Sequence, residues 1–284
     1  MSPEVREALA VALGEELGPA RSVSGGDIND AWAARCGGET VFVKTRPGAP
    51  GSTFRVEAMG LRWLAARGPL RVPEVLAFSE DPPFLALEMI EAGRRAPDFD
   101  DALGRGLAAL HRNAADQFGL DHDNFIARLP QDNTPTETWA EFYWERRLRP
   151  QVELAQRAGL VSSSMATDFE RLAARLPERC GPVEPPAPLH GDLWSGNLIV
   201  DEAGTPVLID PAAYAGHREV DLAMMQLFGG FGPRVFATYH EAYPLDSEWK
   251  QRVPLYQLYP LLVHVNLFGG SYVGGVQRAL HAML

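Results

Sequence analysis

Apolar and polar positions change their rhythm several times along the chain, and each change marks an element. The opening segment scatters Glu4, Arg6, Glu7, Glu15 and Glu16 among apolar residues, the pattern of an amphipathic helix and not of a signal peptide. RSVSGGDINDAWAARCGGETVFVKT then predicts a strand, a turn at Gly25-Gly26, a returning strand to about Arg35, a turn at Gly37-Gly38 and a third strand ending at Lys44. Helical spacing returns in FRVEAMGLRWLAA, where Phe54, Ala58, Leu61 and Leu64/Ala65 fall on one stripe. RVPEVLAF and PFLALEMI read as two further strands with Pro82-Pro83 in their turn. The Gly and Pro of EAGRRAPD follow as a linker, placing a domain boundary near residue 91.

Beyond that boundary helical patterns dominate. Residues 98–115 carry Leu103, Leu107, Leu110 and His111 on one side, with His111 expected as a hydrogen-bonded core residue. Thr134-Pro135-Thr136-Glu137 fits a capping box that starts a helix bearing Trp139, Phe142 and Tyr143, which Pro150 should kink or end. Ser162 to Leu176 is a further helix, and VEPPAP is an extended approach to the next segment. There NLIV and PVLI flank the turn residues DEAGT as a β-hairpin. PAAYAGHREVDLAMMQLFGG turns quickly into a helix, and residues 249–284 are helical again. The run Leu255–Phe268 is interrupted by Gln257, Pro260, His264 and Asn266, so it reads as a buried helix and not a bilayer span. The expectation is an α+β chain of two lobes: a small antiparallel-sheet N-lobe with one main helix (1–90), and a larger, mostly helical C-lobe (91–284).

Bulk properties narrow the function classes. A chain of 284 residues has ample size to bury a core. Its net charge of −11 argues against nucleic acid as the main partner. Two cysteines, Cys36 and Cys180, have neither metal-ligand spacing nor a disulfide framework, and the seven histidines show no metal-binding grouping. A cytoplasmic setting with no membrane association is expected, and the oligomeric state is left open.

The chemistry concentrates in Leu189–Pro211, LHGDLWSGNLIVDEAGTPVLIDP. Asp192 and Asn197 share one short loop, and Asp210 follows at a strand end, where Pro211 biases it away from helical dihedrals toward extended backbone. A D-x-x-x-x-N spacing with a later strand-borne Asp is the layout a kinase uses, the first Asp acting on the attacking hydroxyl, Asn and the second Asp holding Mg²⁺ against the phosphates of ATP. Mg²⁺ takes oxygen ligands and keeps few protein groups, which suits so sparse a set. Upstream, Lys44 ends its strand, and Glu57 sits within the apolar stripe of the next helix, where a carboxylate needs a partner. A strand lysine paired with a helix glutamate is the other half of that constellation. Gly25 and Gly26 allow a backbone turn that cradles phosphate. Glu88, Met89 and Ile90 stand where two lobes would join and meet the adenine edge. The short connection after Asp210 leaves no room for a segment that holds a peptide, so the acceptor is expected to be a small molecule. Asp221 is left between capping its helix and bonding the backbone of the 190–192 loop, and His264 and Asn266 between the cleft and buried partners.

Taken in order, GGDIN, VFVK, FRVEA, RVPEVLA, LEMIE, LHGDLWSGN, IDPAAYAGHREVDLAMMQLFGGF and LYPLLVHVNLFGGSY resemble the fructosamine kinase (ketosamine kinase) family over nearly the whole chain. The resemblance implies a protein-kinase-like fold and ATP-dependent phosphorylation of a sugar hydroxyl, at position 3 of a fructosamine, a step that reverses early glycation, with a small-molecule ketosamine or glycated amine as the substrate. Carried over by position, it makes Asp192 the catalytic base, Asn197 and Asp210 the magnesium ligands, Lys44 and Glu57 the phosphate pair, and Gly25, Gly26, Asp27, Ile28 and Asn29 the phosphate loop. Trp194 either stacks on a sugar ring or packs under the loop; His217 and Glu219 either contact substrate or brace the Asp210 turn. Some members carry a cysteine in the phosphate loop where this chain has SGGDIN, so thiol switching is not expected there. A kinase of another small alcohol, such as an aminoglycoside, choline or a free sugar, and a catalytically silent nucleotide-binding protein are the competing readings.

Overall fold

Alternation in the strand TVFVK sets the architecture of the first lobe. The computed structural model describes residues 1–23 and 29–284. Strands β1 (Leu17–Val23), β2 (Asp30–Cys36), β3 (Glu39–Thr45), β4 (Val75–Glu80) and β5 (Pro83–Glu88) form one sheet in the order β1-β2-β3-β5-β4, every pairing antiparallel. Because side chains alternate across a strand, Val41 and Val43 of β3 point to one face and Phe42 to the other.

Both faces are covered. Helix α1 (Pro3–Leu13), capped by Ser2 Oγ accepting from Val5 N at 3.3 Å, lays Val5 and Leu9 on Val41, Val43, Phe84 and Ala86. Helix α2 (Ser52–Ala65) packs Phe54, Ala58 and Leu61 on the opposite face, against Val75, Leu85 and Leu87. Phe54 and Leu61 are fully buried, each side chain contributing about 1.5–3 kcal/mol. The opening helix is thus a second sheet cover where the sequence pattern suggested one main helix.

The remainder is helical around α3 (Phe99–Arg112) and the long helix Trp249–Phe268, whose Leu255, Tyr256, Leu258 and Leu262 are buried. The expected capping box at Thr134 lies outside any helix: the helix begins at Trp139, and Thr138 Oγ1 accepts from Glu141 N at 3.2 Å. Thr134 instead lies in an irregular stretch, its N–H donating to Asp132 Oδ1 at 2.8 Å. Pro150 neither ends nor breaks the chain's helical course. A wide-turn segment, Tyr143–Leu148, precedes the helix Arg149–Arg157, so the ring meets no crowded carbonyl, and the Arg146 carbonyl accepts from Arg147 Nη1 at 3.1 Å.

Residues after Glu88 are stitched to the hairpin of Leu198–Val200 and Pro206–Leu208. Gly93 N donates to Val200 O at 2.9 Å and Ala96 N to Gly204 O at 3.0 Å. Arg71 bonds Asp201 of this hairpin at 2.7 Å and also the Glu88 carboxylate, bridging the sheet to the helical lobe. Among the described residues no helix is long and apolar enough to cross a membrane.

Candidate active site

Lys44 is the residue of β3 that alternation turns toward α2, and there it meets Glu57. Nζ lies 2.6 Å from Glu57 Oε1 and also bonds Asp210 Oδ1 from the other lobe. Burial works against the lysine's charge, but Glu57 and Asp210 outweigh it and raise its pKa above the ordinary value. Glu57 is raised by its own burial, with Lys44 pulling the other way.

The loop that carries Asp192 is held from behind by one carboxylate. Asp221 Oδ2 accepts from His190 N at 2.8 Å and Oδ1 from Gly191 N at 2.9 Å, while His111 Nε2 lies 3.3 Å from Oδ2. His111 in turn has Nδ1 2.9 Å from the Tyr239 hydroxyl, deep in the core. Buried Asp221 nevertheless sits below the usual carboxylate range, because His111 and these N–H donors outweigh its desolvation. His190 Nε2 donates to Ile209 O at 2.8 Å, so its Nδ1 is the acceptor that takes Asp192 N–H at 3.3 Å. Burial lowers the pKa of His190 and keeps that neutral form.

Asn197 closes a short turn, Ser195–Asn197, and its Nδ2 donates to Asp192 O at 2.8 Å and Oδ2 at 3.1 Å. Ile209 N donates to Asn197 O at 3.1 Å, tying the residue before Asp210 to the end of the loop. Asp210 itself is not at an extended strand end: its φ is +54°. Aspartate tolerates this left-handed conformation better than most residues, and Pro211 disfavours only the right-handed alternative, so the chain turns sharply and swings the carboxylate to Lys44. Burial pushes Asp192 up to about 7, with Asp210 and Asp221 adding to it and the Asn197 amide opposing.

These side chains share one cavity of about 230 Å³, lined by Lys44, Glu57, Asp192, Asn197 and Asp210 together with Asn29 and Trp194. Trp194 is partly exposed and lies over Gly196, where an added Cβ would fall 2.2 Å from the indole Cη2. Gly25, Gly26, Asp27 and Ile28 lie outside the described residues. Glu88, Met89 and Ile90 do not line this cavity; the Glu88 carboxylate is taken by Arg71 and by Glu74 N–H at 3.3 Å.

His217 and Glu219, expected either to contact substrate or to brace the Asp210 turn, do not line this cavity. Tyr214–Gly216 pairs with Ala187–Leu189, and this ribbon carries the next residues behind the loop into the core. His217 stacks on Tyr256 with centroids 5.3 Å apart, and burial lowers its pKa to about 4. Glu219 makes a two-pronged pair with Arg252, at 2.9 and 2.7 Å. Asn266 donates to Gln151 O and Oε1, away from the cavity, whereas His264 lines it.

Sequence reasoning missed the hairpin of Asn124–Ile126 and Leu129–Gln131, whose Asn124, Phe125 and Ala127 form one wall of the cavity. Asn124 Nδ2 and Gln131 Nε2 donate to Ala213 O at 2.8 Å and Ala212 O at 3.2 Å, bracing the segment behind Asp210. No local signal marks a contact made across more than eighty residues.

Known proteins resemble the chain over nearly its whole length. A sequence model described as fructosamine kinase matches residues 1–284. The probable ketoamine kinase of Synechocystis is 41% identical over 268 residues, 93% of this chain and 90% of that protein. A chloroplastic protein-ribulosamine 3-kinase of Oryza sativa is 39% identical over 258 residues, 88% of this chain and 74% of that one. The crystal structure of a presumed fructosamine-3-kinase from Thermobifida fusca superposes with a TM-score of 0.92 at 36% identity, covering 100% of this chain and 99% of its own. A choline kinase from Streptococcus pneumoniae, with a TM-score of 0.65 and 18% identity over 98% of this chain and 97% of its own, is alike in fold alone.

Proposed function

Because the chain belongs to the fructosamine kinase family, and is therefore an ATP-dependent phosphotransferase, we propose that it phosphorylates a sugar hydroxyl of a ketoamine, at position 3, with Asp192 as the general base. The observation that carries the reading is the Lys44 bridge to both Glu57 and Asp210, in the same cavity as Asp192 and Asn197. Such a set brings a phosphate-binding cation, a base and two oxygen donors from both lobes together at the scale of one small molecule. We take the division of the chain as 1–90 and 91–284.

In this mechanism Asp192 accepts the hydroxyl proton, and its elevated pKa keeps it a competent base near neutral pH. Asn197 fixes the Asp192 carboxylate, and Asp221 fixes the loop backbone beneath it. Lys44 exchanges part of its contact with Asp210 for the α- and β-phosphates, while Glu57 holds the ammonium in place. Gly25, Gly26, Asp27, Ile28 and Asn29 would cover the phosphates, and the backbone of Glu88, Met89 and Ile90 would meet the adenine edge. Trp194 offers its indole to the sugar face. Asn197 spends its Nδ2 on Asp192, so its amide oxygen and the carboxylate of Asp210 are hard oxygen donors that fit Mg²⁺. When bound, Mg²⁺ neutralises charge on the nucleotide phosphates.

The test is ADP release from Mg-ATP with a panel of ketosamines, free sugars, amino alcohols and aminoglycosides. Turnover of ketosamines above the rest, lost in Asp192→Asn, is the expected result. Turnover confined to another alcohol, or ketosamine turnover retained in Asp192→Asn, overturns it.

A further inference from the structure

Exposed aromatic surface on the acceptor side of the cleft continues beyond the cavity itself. Among the described residues, Trp194, Phe228 and Phe268 are left 39%, 41% and 55% exposed, and the three stand in one row. Trp194 meets Phe228 edge-on at 6.2 Å between centroids, and Phe228 lies 4.8 Å from His264. His264 then lies 5.5 Å from Phe268 and 4.9 Å from Tyr272. Trp194, His264 and Phe268 line the cavity that holds Asp192, so the row leads from that cavity to the surface. A contiguous apolar patch of this kind leaves water-exposed area that a ligand would cover.

Two copies of one tetrapeptide build the row. Leu227-Phe228-Gly229-Gly230 ends the helix Glu219–Leu227, and Leu267-Phe268-Gly269-Gly270 ends the helix Trp249–Phe268. A Cβ at Gly230, whose φ is +91°, would lie 2.5 Å from Ser195 Cβ. Glycine at 230 therefore lets the turn rest directly on the loop of Asp192, and this seats Phe228 against Trp194.

The occupant follows from the proposed function, on which this step rests. A ketoamine has a sugar end and a nitrogen end. With the hydroxyl at Asp192 and the sugar on Trp194, the nitrogen end extends along the row. That nitrogen is a secondary amine, protonated at neutral pH, and aromatic faces attract such a cation. His264 Nδ1 donates to Pro260 O at 2.7 Å, leaving Nε2 as an acceptor in a ring that lines the cavity. The cationic residues lining the cavity, Lys44 and Arg46, belong to the sheet lobe, and the stretch Pro260–Phe268 contributes none. We propose that Phe228, His264, Phe268 and Tyr272 form a subsite for the nitrogen substituent of the ketoamine, selecting aromatic or branched apolar substituents over small or acidic ones.

The test compares kcat/KM for N-benzyl-, N-methyl- and N-carboxymethyl-fructosamine by ADP release. The benzyl compound should exceed the methyl compound about tenfold, and the carboxymethyl compound should not exceed the methyl one. Phe228→Ala and Phe268→Ala should bring the benzyl-to-methyl ratio toward one, and Phe268→Trp should keep it. Thermal midpoints of the three variants establish that they are folded. A wild-type ratio near one, or a ratio unmoved in both alanine variants, overturns the subsite while the ketoamine kinase reading stands. Absence of turnover on every fructosamine, with turnover of another alcohol, overturns both.

Discussion

Lys44 Nζ stands 2.6 Å from Glu57 Oε1, inside the apolar stripe of a helix, and the same nitrogen reaches Asp210 from the other lobe. One ammonium thus compensates two carboxylates, of Glu57 with its side chain 15% exposed and of Asp210 with 38%. Lys44→Ala should raise the KM for ATP roughly ten- to hundredfold, the worth of a charge-assisted hydrogen bond, and leave the ketoamine KM near its original value. Initial-rate kinetics with each substrate varied in turn checks this; unchanged ATP dependence removes Lys44 from the phosphate site.

Asp192→Asn keeps the shape of the side chain and removes the proposed general base. The rate should fall by about 10²–10⁴-fold, with Mg-ATP affinity nearly intact. Calorimetric titration of nucleotide beside steady-state turnover separates the two quantities, and a variant that loses both together would point to a structural role.

Asp221→Ala strips two buried N–H groups, on His190 and Gly191, of their acceptor. Each unsatisfied group costs about 1–3 kcal/mol, so stability should fall by about 2–6 kcal/mol. Urea unfolding measures it. Asp221→Asn, which retains one acceptor oxygen, should lose less.

His217 supplies a pH dependence of folding. Its folded pKa of about 4 lies below the ordinary 6.5, so between these values the unfolded chain holds a proton that the folded chain refuses. Stability from this group is fully present above pH 6.5 and is lost as pH falls toward 4, by about 2–3 kcal/mol at pH 4.5. His217→Phe preserves the stack on Tyr256 and should flatten that slope in urea titrations at pH 7 and 4.5.

What the sequence made legible follows physical range. The strands of the first lobe, the lysine and glutamate that meet between β3 and α2, and the loop of Asp192 and Asn197 could be read because alternation, helical spacing and short motifs act within about twenty residues. Asp221, left between two roles, turns out to hold the loop backbone. The errors arose where a local rule met a tertiary one. Pro211 excludes a right-handed Asp210, yet the pull of Lys44 and the sharp turn select a left-handed conformation over an extended one. Thr134 has the letters of a cap, but the β-bridge between Thr136 and Phe118 holds that stretch extended and hands the role to Thr138. His217 and Glu219 are near Asp210 in sequence and are carried out of the site by a two-strand ribbon. The Asn124 hairpin was invisible for the converse reason, being remote in sequence and adjacent in space.

The indole of Trp194 rests where residue 196 has no side chain. That vacancy makes position 196 a lever on the proposed sugar platform. An added methyl there has to displace the indole that lines the cavity. With Trp194 as the proposed sugar platform, acceptor choice becomes adjustable at position 196 one carbon atom at a time.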